Sequence, residues 1–181
     1  MRRAVVAAGL GVALVGGAAA AVTVPSVAVA APEFSGVAVT TVPEYGARGT
    51  HVVDYRHGQV LRIALPVTNT GRAPLAVTGA DFGEGPLALL TVRDVADVRV
   101  PAGATRTVVV EALLGNCKYF HERETQTYDG LTLTVSSLGR SADRAVQLDR
   151  PLLVHSPMIV GCPDRKLNRQ ANDRRDASIR G

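Results

Sequence analysis

The stretch Val60–Asn69, VLRIALPVTN, decides the fold of this chain. Every second residue from Leu61 to Val67 is a large aliphatic side chain. A period of two places these side chains on one face, which predicts a half-buried β-strand. Pro66 lies on the opposite parity, where its missing N–H predicts an edge position or a bulge.

Turn-forming residues follow this strand and divide the chain into short β segments. Asn69–Pro74, NTGRAP, favours a turn, and Leu75–Gly79 resumes the alternation, so the pair predicts a hairpin. The other predicted strands share this alternation or a β-branched composition: Val37–Val42, Leu87–Val92, Asp97–Val100, Thr105–Leu113, Leu131–Leu138, Ala145–Leu148 and Leu152–His155. Eight or nine short strands without a convincing helix predict an all-β antiparallel sandwich. The polar, aromatic segment Gly115–Asp129 interrupts the pattern, and we expect it to be a long loop.

Composition supports this class and argues against nucleic-acid binding. Hydrophobic residues make up 46% of the chain, while aromatic residues make up only 4% and tryptophan is absent. The net charge of +4 is unevenly distributed, because residues 31–162 hold 12 basic and 13 acidic side chains. Residues 163–181 hold 6 basic and 3 acidic side chains, which predicts a basic polar tail, either disordered or a short helix. A nucleic-acid binder needs a basic face on its folded domain, and this domain is nearly neutral.

The first thirty residues have the parts of an export signal. Arg2 and Arg3 precede the uncharged run Ala4–Val24, and Ala28-Val29-Ala30 places small residues at the −3 and −1 positions of a cleavage site. We therefore predict a signal peptide over residues 1–30, a folded domain over 31–162, and a secreted or envelope-associated protein. The alternative is an uncleaved anchor, because about 20 apolar residues can span a bilayer. Membrane contact is expected only in that case.

Cys117 and Cys162 are the two cysteines of the chain. In an oxidising compartment such a pair most often forms a disulfide. The alternatives are thiolate metal ligands or redox-active thiols, but the pair lacks C-x-x-C spacing. A disulfide would hold the start of the Gly115–Asp129 segment against the root of the tail.

Several of the turn and strand motifs resemble those of bacterial immunoglobulin-like modules of the Hydin/SPD-2 and adhesion-repeat kind. These motifs are Asn69-Thr70-Gly71, Pro74-Leu75-Ala76-Val77, Pro101-Ala102-Gly103 and the glycine that opens Gly130–Leu133. The resemblance covers roughly residues 58–140. It implies a seven-stranded immunoglobulin-like sandwich that acts as a spacer, adhesion or protein-binding module. We expect no cofactor. The charged segment Lys118–Asp129 departs from the pattern, which usually has a short turn there.

The departing segment and the tail contain the candidate partner-binding residues: Tyr119, Phe120, Arg123, Tyr128, Arg165 and Lys166. Aromatic and arginine side chains are enriched at interface hot spots. A Cys117–Cys162 bond would join the two segments into one surface that could bind an envelope or extracellular protein. The alternative is that Tyr119 and Phe120 only cover the open end of the sandwich.

Two other functions remain open from the residues alone. His121, His155 and Met158 offer imidazole and thioether groups to copper or zinc, although their order differs from that of a blue-copper site. Glu122 and Glu124 could act as paired carboxylates of an envelope-acting hydrolase. Neighbouring carboxylates on a loop are more often only solvated, and no Gly-x-Ser-x-Gly motif is present. We therefore expect no catalytic residues.

Overall fold

The computed structural model describes residues 25–43 and 49–163, and these residues form an all-β structure as predicted. They contain eleven strands and two short 3-10 helices, with no α-helix. The strands are β1 (Val27–Val29), β2 (Glu33–Ser35), β3 (Val39–Val42), β4 (Thr50–Val53), β5 (Val60–Asn69), β6 (Leu75–Asp81), β7 (Leu90–Val95), β8 (Val98–Val100), β9 (Thr105–Leu114), β10 (Thr125–Ser137) and β11 (Arg140–His155). The 3-10 helices are η1 (Cys117–Tyr119) and η2 (Ile159–Gly161). Neither described helix has the length and apolar character needed to cross a membrane.

Strand β5 lies in the interior of a five-stranded sheet. Strand β9 pairs with one edge of β5, and its own other edge pairs with β7. Strands β1 and β2 share the other edge of β5. The strand predicted over Val60–Asn69 is confirmed with the same bounds, and its inward aliphatic side chains are completely buried. Pro66 is therefore not on an edge strand. It lies where β1 ends: Ala30 N donates to Pro66 O at 3.1 Å, and proline has no N–H for the reciprocal bond.

The second sheet has the order β3-β4-β11-β10-β6-β8. Its longest pair is the β10–β11 hairpin, in which Leu138 and Gly139 connect the strands with φ values of 50° and 74°. Two positive φ angles in a two-residue loop match the right-handed twist of the strands. The register shifts between Tyr128 and Gly130, and a Cβ on Gly130 would lie 2.3 Å from Val146 O, so only glycine fits there.

The structure corrects several sequence predictions about the strands. One pair is parallel rather than antiparallel, since His51–Val53 of β4 runs alongside Leu152–Val154 of β11. The predicted Gly115–Asp129 loop ends at Glu124, because β10 begins at Thr125. The predicted hairpin of β5 with β6 is wrong, because β6 lies in the other sheet, between β10 and β8. Strands β1, β2 and β4 were not predicted. The remaining differences concern bounds: the strands predicted from Val37 and Leu87 begin at Val39 and Leu90, and the last two predicted strands form the single strand β11.

The chain ends fall partly outside the described residues. Residues 1–24 of the predicted signal peptide and residues 164–181 of the predicted tail lie there. Residues Pro25–Ala30, which were assigned to the signal peptide, are described, and they include strand β1.

The two sheets enclose one apolar core made mostly of valine and leucine. Leu61, Val108 and Val110 of the first sheet belong to the same buried cluster as Leu133 and Val135 of the second. All five side chains are fully buried. Small aliphatic residues fill the layer between the sheets, which explains how the domain folds without tryptophan.

We expect Leu133→Ala to lower the free energy of unfolding by about 2–5 kcal/mol, because it removes buried apolar surface and leaves a cavity. Leu87→Ala is the matched control, since Leu87 is 52% exposed, and it should change stability by less than about 0.5 kcal/mol. Urea denaturation of the oxidised proteins measures both. Equal effects of the two substitutions would contradict the assignment of Leu133 to the core.

Candidate binding surface

A disulfide joins Cys117 to Cys162, as the sequence predicted. The two Cα atoms are 5.9 Å apart, the residues are 45 positions apart in sequence, and both side chains are buried. The bond connects the first residue of η1 to the segment just after η2. It therefore holds the β9–β10 connection against the segment that follows β11.

The position of Cys117 is fixed by hydrogen bonds from its neighbours. Asn116 adopts a left-handed conformation with φ 61°, and its Nδ2 donates to Pro86 O and Ala88 O, both at 2.9 Å. The Tyr55 hydroxyl donates to Gly115 O at 2.9 Å. Because these bonds reach two other loops, the start of η1 has a defined place at this end of the sandwich.

The turn after η1 is also hydrogen-bonded to the segment after β11. Arg123 N donates to Ser156 O at 3.1 Å, and Ser156 N donates to Glu124 O at 2.7 Å. The Glu124 carboxylate accepts the His121 backbone N–H at 2.7 Å, so it stabilises the turn. Glu122 is exposed on the same turn. This geometry gives Glu124 a structural role that does not depend on catalysis.

Tyr128 lies in the core and cannot form part of a surface. Its side chain is 2% exposed and packs edge-on against Phe82, with 5.1 Å between the ring centroids. Its hydroxyl donates to Gln126 Oε1 at 2.6 Å and accepts the Leu90 backbone N–H at 3.1 Å. Burial raises the pKa of the Tyr128 hydroxyl well above its ordinary value. The placement of Tyr128 among the partner-binding candidates is therefore corrected.

Five of the exposed residues at this end form what we call the disulfide patch: Lys118, Tyr119, Arg123, Met158 and Val160. The exposed acidic residues Glu122 and Glu124 lie on the same turn as Arg123. Tyr119, Met158 and Val160 are 54%, 52% and 95% exposed. Lys118 Nζ lies 5.0 Å from the centroid of the Tyr119 ring, within the range of a cation–π contact. Arg123 Nη2 lies 4.0 Å from Met158 Sδ. The patch thus combines apolar side chains with two cations, on two backbone segments that the Cys117–Cys162 disulfide joins.

An open groove of about 440 Å³ lies beside the patch. Its lining includes Arg123 and Met158 of the patch and Val42 of the edge strand β3. Val42 is 42% exposed, which extends the apolar part of this surface.

The other predicted binding residues have different positions. Phe120 is half-buried and packs against the core, as expected for a residue that covers the open end of the sandwich. Arg165 and Lys166 lie outside the described residues, so their predicted proximity to the disulfide stays a prediction.

The geometry offers little to the predicted metal ligands. His121 and His155 are exposed, and His155 Nδ1 lies 2.8 Å from Thr125 Oγ1. Met158 Sδ faces the Arg123 guanidinium, whose positive charge disfavours a second cation there. Within 25–43 and 49–163, no three His, Cys, Asp or Glu residues are grouped in a way that could hold a metal ion.

Sequence reasoning missed a polar cluster on the second sheet. His51 is 8% exposed, and its Nδ1 lies 3.0 Å from Thr41 Oγ1. Its Nε2 lies 3.5 Å from Asp149 Oδ1, which is too long for a good hydrogen bond. These residues come from three different strands, so no spacing in the sequence could have revealed them.

These observations define the class of the protein as an all-β sandwich closed at one end by a disulfide. No family model matches the chain, and no curated protein sequence matches it. Among the solved structures that match is the Vibrio cholerae VesB protease, with a TM-score of 0.34 and 20% sequence identity. The match covers 66% of this chain and 32% of the protease chain, so this chain spans about a third of the length of the protease. A likeness at this level carries no argument about chemistry.

We expect the Cys117→Ser, Cys162→Ser double variant to lose about 4 kcal/mol of unfolding free energy, because the bond restricts the unfolded chain over a long loop. Urea denaturation of the oxidised wild type and the variant measures the difference. Reduced wild type is the matched control and should behave like the variant. A variant as stable as the oxidised wild type would show that the other contacts at this end suffice.

Proposed function

We propose that this protein is an exported, non-catalytic binding module of the immunoglobulin-like kind, and that its disulfide patch binds another extracytoplasmic protein. The observation that carries the proposal is the exposure of Tyr119, Met158 and Val160 beside two cations on a disulfide-linked base. The disulfide itself is compatible with an extracytoplasmic location, because disulfides persist in oxidising compartments.

The chemistry of the patch suits a protein partner. Tyrosine and arginine are over-represented among the residues that dominate binding energies, and methionine is enriched at interfaces. The mixed charges of Lys118, Arg123 and the neighbouring Glu122 and Glu124 favour a partner with complementary charges of both signs around an apolar contact. Because the hydrogen bonds at Asn116 and Ser156 already fix the backbone here, binding would cost little additional conformational entropy.

The backbone at Arg123 gives a second line of support. Its φ of 58° lies in the left-handed region, which glycine adopts far more readily than arginine. Non-glycine residues in such conformations cost about 1–3 kcal/mol and cluster at functional sites. The exposed Arg123 side chain makes a single, long contact to Met158 among its described side-chain interactions. That long contact alone does not explain why arginine occupies a left-handed backbone position, whereas binding of a partner by the arginine side chain would explain it.

Affinity capture with the oxidised domain tests this proposal when a photo-crosslinker replaces Tyr119. Crosslinking at Leu138, which is exposed in the β10–β11 turn at the opposite end of the sandwich, is the control. We expect one extracytoplasmic protein to be crosslinked from position 119 and not from position 138. Crosslinking of the same protein only from position 138 would move the surface elsewhere, and none from either position would contradict a binding module.

We expect Arg123→Gly to leave the unfolding free energy unchanged or to raise it, because glycine relieves the left-handed backbone. The same substitution should weaken binding of the captured partner by at least roughly tenfold, which is about 1.4 kcal/mol. Calorimetry and titration measure the two effects. Unchanged affinity would remove Arg123 from the surface.

The two tyrosines should respond in opposite ways. Tyr119→Ala is expected to weaken binding while leaving stability nearly unchanged, since its side chain is exposed. Tyr128→Phe should cost about 1–3 kcal/mol of stability, because it leaves the buried Leu90 N–H without its acceptor. The affinity of the folded Tyr128→Phe protein for the partner should match that of the wild type. The reverse pattern would show that the patch is only a cover for the core.

A further inference from the structure

Strand β1 is built into the first sheet, although its sequence resembles a cleavage site. Val27, Ala28 and Val29 pair with the last three residues of β5, Val67–Asn69. The pairing continues beyond the strand, since Thr70 N donates to Ser26 O at 3.0 Å. Ala30 N, which belongs to the predicted −1 residue, donates to Pro66 O.

Side chains and the second sheet also hold this segment. Thr70 Oγ1 donates to Ser26 Oγ at 2.8 Å, and Arg144 Nε of β11 donates to Pro25 O at 2.6 Å. Val27 and Val29 pack against the apolar core. Residues 25–30 therefore contact both sheets, as an element of the domain does.

A cut after Ala30 would remove all these contacts. The backbone groups of β5 that face β1 would lose their partners, and the apolar surface beneath Val27 and Val29 would be exposed to water. The edge of β5 that would be opened in this way belongs to the strand whose side chains fill the centre of the core.

The sequence contains a second cleavage signal upstream of this strand. Ala18–Ala21 places alanine at both −3 and −1 for a cut after Ala20 or after Ala21. The apolar segment Ala4–Val15 then has twelve residues, which falls in the usual range of about 7–15. With a cut after Ala30, the uncharged stretch would instead run from Ala4 to Ala30, which is longer than that range.

We propose that the export signal is cleaved after Ala20 or Ala21, and that β1 remains as a strand of the mature domain. This inference rests on the proposed export of the protein. It replaces Ala30 as the processing site and adds residues 22–30, at least, to the mature chain.

Intact-mass analysis and N-terminal sequencing of the full chain, exported from a bacterial host, test the inference. We expect the mature protein to begin at Ala21 or Val22. A mature protein that begins at Ala31 would overturn the inference while leaving export intact. A full-length chain retained in the cell would overturn both the inference and the proposed export.

Two matched variants separate the sites. The double variant Ala20→Phe, Ala21→Phe should lose most of the processed form, because bulky residues replace the small −1 side chains of both cuts. Ala30→Phe changes an exposed residue in the same way at the downstream site, and it should be processed like the wild type. The opposite pattern, with processing lost only in Ala30→Phe, would assign the cut to Ala30.

Discussion

The central constraint in this fold is that β5 must bury one face completely while its backbone is paired along both edges. Its apolar side chains are fully buried, and β9 pairs with it along nine residues, from Val60 to Thr68. The other edge is shared between two short strands, β1 and β2, with Pro66 at the change of partner. A strand satisfied in this way fixes the register of its neighbours, because a one-residue slip would turn every buried side chain outward.

The two ends of the sandwich follow from how its longest hairpin is connected. At one end, Leu138 and Gly139 close β10 onto β11 in two residues. At the other end the chain enters β10 and leaves β11 through irregular segments, which need other means to stay ordered. The Cys117–Cys162 bond and the hydrogen bonds of Ser156 supply that order. Backbone groups that would otherwise require water are thus satisfied within the protein.

Local pattern in the sequence was enough to predict the class, the bounds of β5 and the disulfide. Each of these rests on a short-range signal: a period of two, or two cysteines in a chain with a predicted export signal. The parallel pairing of β4 with β11 joins residues about 100 positions apart, and no local signal encodes it. The Thr41–His51–Asp149 cluster was missed for the same reason. The tail residues Arg165 and Lys166 stay a prediction.

Different structures can share the same residue types, as two segments of this chain show. Ala28-Val29-Ala30 fits a cleavage site, and alternation of small residues also fits an edge strand. Tyr119 and Tyr128 both lie in a polar, charged stretch that resembles a loop. The start of β10 at Thr125 separates their roles, because it turns Tyr128 into the core and leaves Tyr119 outside. The candidate surface is therefore determined by where that strand begins, and composition alone could not show it.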